Sequence, residues 1–90
     1  MLLVIIEYAT DDMARPTTED QYLRAFGKHL AELREGCALS QERLAAAVGV
    51  SRETIGLMER GRRWARLSTL HRIAKSLDVP TKELFDGLRK

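Results

Sequence analysis

The chain has one cysteine and two histidines in 90 residues, and these scarcities close off several chemistries. Cys37 by itself cannot form an intrachain disulfide or supply a cysteine-rich metal site, so a secreted, disulfide-stapled scaffold is excluded and a reducing cytoplasm fits. His29 and His71 fall in no metal-ligand spacing and read as ordinary solvated or partly packed residues. Long apolar runs are also missing. LLVII, residues 2–6, is too short to span a bilayer and lacks the basic flank of a signal peptide, so no membrane association is expected. No nucleophile with a base beside it, no acid–base pair and no phosphate-binding loop is present, and a chain of this length has no room for a buried catalytic cleft with a scaffold around it. An enzyme is not expected, and neither is a cofactor.

The charge is unevenly spread. The formal net charge is only +2, yet residues 1–20 carry one arginine against five acids, which leaves 14 basic and 8 acidic residues, or +6, in the remainder. Arg60, Arg62, Arg63 and Arg66 lie within seven residues of one another. Such a cluster suits phosphate neutralisation with release of condensed counterions, or is simply a solvated face.

The stretch Leu39 to Gly61, LSQERLAAAVGVSRETIGLMERG, reads as two short helices joined by a tight turn. Ser40 suits an N-cap, because its hydroxyl accepts from a free amide of the first turn, and Leu44, Ala45 and Val48 then share one stripe. Gly49 tolerates the left-handed conformation that reverses the chain. Ser51 caps the second helix. Advancing about 100° per residue from Arg52 gathers Arg52, Glu53, Gly56, Leu57 and Arg60 on one arc and leaves Ile55 and Met58 opposite. Gly56 costs roughly 1 kcal/mol of helix propensity against alanine, which asks for a reason: close approach to DNA, or close packing on another backbone. The layout is that of a DNA-reading helix-turn-helix.

The flanking segments complete a five-helix, all-α reading. From Asp20 to about Glu35, Leu23, Phe26, Leu30 and Leu33 recur at helical spacing, and Gly36 follows as a stop. Ser68 is read as the cap of a fourth helix with Leu70, Ile73, Ala74 and Leu77 inward. Asp78 to Thr81 form a break, and a fifth helix from Thr81 to about Arg89 offers Leu84, Phe85 and Leu88, enough to close a globule and spare a patch for a partner. Residues 1–19 are read as an N-terminal extension and linker, and 20–90 as one DNA-binding domain with its motif at 40–60. Two readings stand for residues 2–6: a short β-strand that pairs with its copy in a dimer, or a loosely attached tail.

The segments FGKHLAELRE, LSQERLAAAVGVSRETIGLMERGRR and LSTLHRIAKSLDVPTKELF together resemble the phage repressor and Cro family of helix-turn-helix regulators, also called the XRE family, over about residues 22–88. The resemblance implies a lambda-repressor-like domain that binds double-stranded DNA as a homodimer in the cytoplasm. It also sets residue roles. Gln41 would hold a phosphate and brace the reading helix. Arg52 and Glu53 match the first base-reading positions, a guanidinium suiting guanine O6 and N7 and a carboxylate accepting from cytosine N4, while Leu57 would meet a thymine methyl. Ser51, Thr54, Arg60, Arg62, Arg63 and Arg66 fall to the DNA backbone, with local capping accounting for Ser51 equally well. Arg34 and Glu59 match a structural ion pair. Met13 sits where many family members begin. The loop RRWARLS departs from the family's polar residue followed by proline, leaving Trp64 to pack over the core or lie against a deoxyribose, and Arg66 to reach a phosphate or the adjacent minor groove. A reading from a different class is an antitoxin or protein-binding module of the same fold, with a toxin or RNA polymerase as protein partner and DNA binding secondary.

Overall fold

The computed structural model describes residues 18–88; the strand or tail expected at residues 2–6 and the end of the fifth helix at Arg89 lie outside them. Four α-helices and a terminal 3-10 helix follow in order: α1 (Thr18–Gly36), α2 (Gln41–Val48), α3 (Arg52–Glu59), α4 (Leu67–Ser76) and the 3-10 helix Thr81–Leu88. No strand occurs among the described residues. The architecture is all-α, as the helical periodicity requires.

The apolar stripes converge on one core. Phe26 and Leu30 of α1, Leu44 of α2, Ile55 and Met58 of α3, Ile73 of α4 and Leu84 of the 3-10 helix are fully buried. An eight-residue helix such as α3 does not persist alone in water. Burying Ile55 and Met58 contributes about 1.5–3 kcal/mol each, which outweighs the roughly 1 kcal/mol cost of Gly56. α3 packs on both α1 and α2, and α4 closes over α2 and the 3-10 helix. Leu84 is fully buried, and Phe85 and Leu88 pack against the core. Among the described residues, the large apolar side chains left exposed are Tyr22 on α1 and Leu67 at the start of α4.

All four α-helices end in the same device. A left-handed residue follows the last turn, and the next amide reaches back five residues: Leu39 N to Arg34 O at 3.2 Å, Val50 N to Ala45 O at 3.1 Å, Arg62 N to Leu57 O at 2.9 Å and Val79 N to Ala74 O at 3.0 Å. These bonds satisfy carbonyls that a helix end leaves open. The left-handed positions are Ala38 (φ 58°), Gly49 (φ 87°), Gly61 (φ 73°) and Asp78 (φ 59°). Two of them are not glycine. Leu39, Val50 and Val79, each just beyond such a residue, are partly buried against the core, so the tight reversal also delivers an apolar side chain.

Two expected boundaries are corrected. Gly36 is the last residue of α1 and not the residue that reverses the chain; the left-handed residue is Ala38, which places Leu39, directly after it, on the core. Ser68 does not cap α4. The first intrahelical bond runs from Leu70 N to Arg66 O at 2.9 Å, which makes Arg66 the N-cap, without a side-chain cap bond, and leaves Ser68 inside the first turn. The final segment is a 3-10 rather than an α-helix, opening with Glu83 N on Pro80 O at 2.9 Å. His29 pins it to α1: Nε2 donates to Glu83 O at 2.8 Å.

Candidate nucleic-acid interface

The candidate interface is built on α3 and the two turns flanking it. Ser51 has extended backbone (φ −80°, ψ 156°), and its Oγ accepts from Thr54 N at 3.0 Å and shares a hydrogen bond with Thr54 Oγ1 at 2.9 Å. Ser40 opens α2 in the same way, accepting from Arg43 N at 3.0 Å. Both caps satisfy amides that would otherwise be unpaired, so two helix N-termini are fixed beside each other. Ile55 and Met58 hold the inner side of α3 in the core, and the opposite side faces solvent.

What sets the angle of α3 is a polar cluster beneath it. Glu59, at its C-terminal end, accepts from Arg34 Nε at 2.6 Å through Oε2, and from Arg34 Nη2 at 3.1 Å and Gln41 Nε2 at 2.9 Å through Oε1. Arg34 Nη1 donates to Leu39 O at 2.7 Å. The two charged side chains are 11% and 6% exposed, so the attraction is little screened and each charge depends on the other. Hydrogen bonding to Glu59 holds the Arg34 guanidinium pKa above the usual arginine value, against the opposing cost of burial. Among the described residues no buried side-chain nitrogen or oxygen lacks a partner. One carboxylate therefore ties α1, the turn after it, α2 and α3 into a single body.

Two glycines let the backbones meet. A Cβ on Gly27 would clash with Met58 O and lie 2.6 Å from Glu59 O, and one on Gly61 would lie 2.7 Å from Arg24 Cα. α1 thus carries a smooth site where the end of α3 presses against it. The sequence reading assigned Gly27 no role, although a glycine within a helix signals the same propensity cost that drew attention to Gly56. Gly56 differs. It lies on the outward arc, yet it is buried, because a Cβ there would meet Arg60 Nη1 at 3.2 Å and the Gln41 amide atoms at 3.9 Å.

The fold brings Gln41, Arg52, Glu53, Gly56 and Arg60 together around one shallow open cleft. A second depression, shared by Gln41 and Arg52, adds Arg34, Ser40 and Glu42. Arg52 and Glu53 are exposed and Leu57 and Thr54 half-buried. Arg62, Arg63 and Arg66 are exposed along the loop after α3 and line neither depression. Trp64 packs inward: its ring centroid lies 5.2 Å from Phe26, tilted by 41°, and Phe26 in turn lies 5.6 Å from Phe85. An aromatic row of this kind fixes the loop's path without the proline. The cleft presents guanidinium donors, a carboxylate acceptor and an amide on one rim, a set suited to base edges and phosphates.

Comparison with known proteins accords with this geometry. The helix-turn-helix family model HTH_3 matches residues 30–84. The chain is 39% identical over 64 residues to an uncharacterized transcriptional regulator in the ATPase CF(0) region of Rhodospirillum rubrum, covering 71% of this chain and 59% of that protein. It thus spans about three fifths of that relative's length. It is 46% identical over 48 residues to an uncharacterized HTH-type transcriptional regulator of Methanothermobacter thermautotrophicus, covering 53% of this chain and 70% of that one. The crystal structure of the restriction-modification controller protein C.AhdI from Aeromonas hydrophila superposes with a TM-score of 0.68 and 43% identity, over 70% of this chain and 96% of that one. With a capped α3 braced by Arg34, Gln41 and Glu59 and a family match across most of the described residues, the chain belongs to the helix-turn-helix family HTH_3, and the relatives it matches are named as transcriptional regulators.

Proposed function

We propose that the protein is a homodimeric, sequence-specific transcription regulator that lays the outer face of α3 in the major groove of each half of a palindromic operator. The observation that carries this is the convergence of Arg52, Glu53 and Gln41 on one solvent-facing cleft of a short helix whose other side is locked into the core. Arg52 forks onto guanine, Glu53 accepts from cytosine N4 and repels acceptors, and Leu57 meets a thymine methyl. Gln41 commits one amide hydrogen to Glu59 and keeps a second for phosphate. Ser51 orients Thr54, whose hydroxyl donates to the DNA backbone; Arg62, Arg63 and Arg66 neutralise further phosphates from the loop. A single domain of this size touches few base pairs, so a two-fold pair doubles the contact set and sets half-sites about one helical turn, roughly 34 Å, apart. The likeness to a restriction-modification controller makes promoters of adjacent restriction-modification genes the first natural sites to test.

Selection from random duplexes tests the reading. Recovery of an inverted repeat with half-sites one turn apart is the expected result. Recovery of a single asymmetric site overturns the symmetric dimer, and absence of any preference over competitor polyanion at moderate salt overturns sequence reading altogether.

A further inference from the structure

Gly56 and Arg60 lie one helical turn apart on the outer face of α3, and their relation is unusual. Arg60 ends the helix, and its side chain is long enough to point away from it into solvent. Instead it folds back along the helix, and its Nη1 stops 3.2 Å from where a Gly56 Cβ would be. Helical side chains lean toward the N-terminus and over the preceding turn, so the direction is natural. The turn beneath is bare, because position 56 is glycine. A Cβ at 56 would stand 3.2 Å from Nη1, tighter than ordinary contact, so the guanidinium would have to shift by a few tenths of an ångström, whereas glycine leaves a slot with the Gln41 amide on its far wall.

We propose, building on the function argued above, that Arg60 reads a base edge and that Gly56 is its positioning residue. The slot puts the Arg60 guanidinium on the same cleft as Arg52 and Glu53, a cleft that Arg62, Arg63 and Arg66 do not line. A guanidinium there offers paired donors to guanine O6 and N7, the commonest specific contact in the major groove. The Gln41 side chain, itself held on Glu59 at 2.9 Å, walls the slot on one side and limits how far the guanidinium swings. Gly56 thus serves approach to DNA indirectly, by letting a neighbour's side chain lie flat.

The test is a double-mutant cycle on the full chain with the operator obtained by selection and every single-base variant of it. Arg60→Gln is expected to lose discrimination at one guanine per half-site by about 5- to 140-fold, the fold-change equivalent to about 1–3 kcal/mol, with the other positions unchanged. Gly56→Ala is expected to relax the same position in the wild-type background and to have no effect there when Arg60→Gln is already present. Thermal melts of both variants establish that the fold is kept. Equal weakening of all sequences by Arg60→Gln, with a flatter salt dependence, identifies a phosphate contact and overturns the inference while the operator reading stands. Additive effects of the two substitutions overturn the positioning role of Gly56. A wild-type chain that selects no sequence removes the parent reading and this one together.

Discussion

Gly27 on α1 faces the last turn of α3 at such short range that a Cβ added to it would stand 2.6 Å from the carbonyl oxygen of Glu59. The contact is backbone against backbone, so no side-chain rotation relieves it. It lies at the same end of α3 as the Arg34–Glu59 pair, and the two together decide where α3 points.

The first prediction follows from that contact. An alanine in a helix is ordinarily worth about 1 kcal/mol over glycine, but Gly27→Ala must push α1 and α3 apart, and overpacking of this kind costs about 1–3 kcal/mol. Chemical denaturation should show net destabilisation. A stabilised variant would mean that the two helices do not meet as described.

Arg34 and Glu59 should behave as a unit. Removing one partner leaves a buried charge without its counterpart, so Arg34→Ala or Glu59→Ala is expected to lower stability by about 3–5 kcal/mol. Replacing both by apolar residues of similar volume, Arg34→Met with Glu59→Leu, should cost much less. Because the Arg34 pKa is raised, its contribution is fully present below the ordinary arginine range and is lost only as pH climbs through the elevated value. Denaturant titrations at neutral and mildly alkaline pH should therefore agree in the size of the Arg34→Ala loss.

Ala38 occupies a left-handed conformation (φ 58°) at the end of α1, where a Cβ costs roughly 1–2 kcal/mol. Ala38→Gly removes that cost but adds freedom to the unfolded chain, for a net gain of about 0.5–1 kcal/mol. The midpoint of urea unfolding should rise, with operator affinity unchanged. Any fall in the midpoint would contradict the turn geometry.

On the proposed function, Arg52 and Arg62 separate two kinds of DNA contact. Arg52→Ala is expected to cost about 1–3 kcal/mol and to relax one base position. Arg62→Ala should weaken binding to all sequences alike and reduce the slope of log affinity against log salt by about one. Titrations at several salt concentrations on the operator and on unrelated duplex distinguish these outcomes.

Periodicity sufficed for the core. Phe26, Leu30, Leu44, Ile55, Met58 and Ile73 recur at intervals that only a helix gathers on one side, and all are fully buried. The Ser40 and Ser51 caps were equally legible, because an N-cap is a local bond between a hydroxyl and an amide three residues on. The reversal after α1 and the start of α4 were not. A glycine at 36 looks like the reversing residue, but the chain reverses where the following residue must reach the core, and that place is set by Leu39. Similarly, Ser68 has the chemistry of a cap, while the Phe26–Trp64 contact helps set the path of the loop that enters α4.

The sequence by itself therefore determined that the chain is a bundle of short helices, with which side of each turned inward, because burial periodicity and capping are interactions within a few residues. It also determined which charges remain on the outer side of α3. The tertiary structure decided how α3 is aimed, since Gly27, Arg34, Gln41 and Glu59 come from three helices and act on one another only after the core has closed. It likewise decided that Arg60 lies along the outer face of α3 over Gly56. A side chain that long samples many directions in the isolated helix, and the slot between Gly56 and Gln41 that selects one of them exists only once α2 and α3 are packed together.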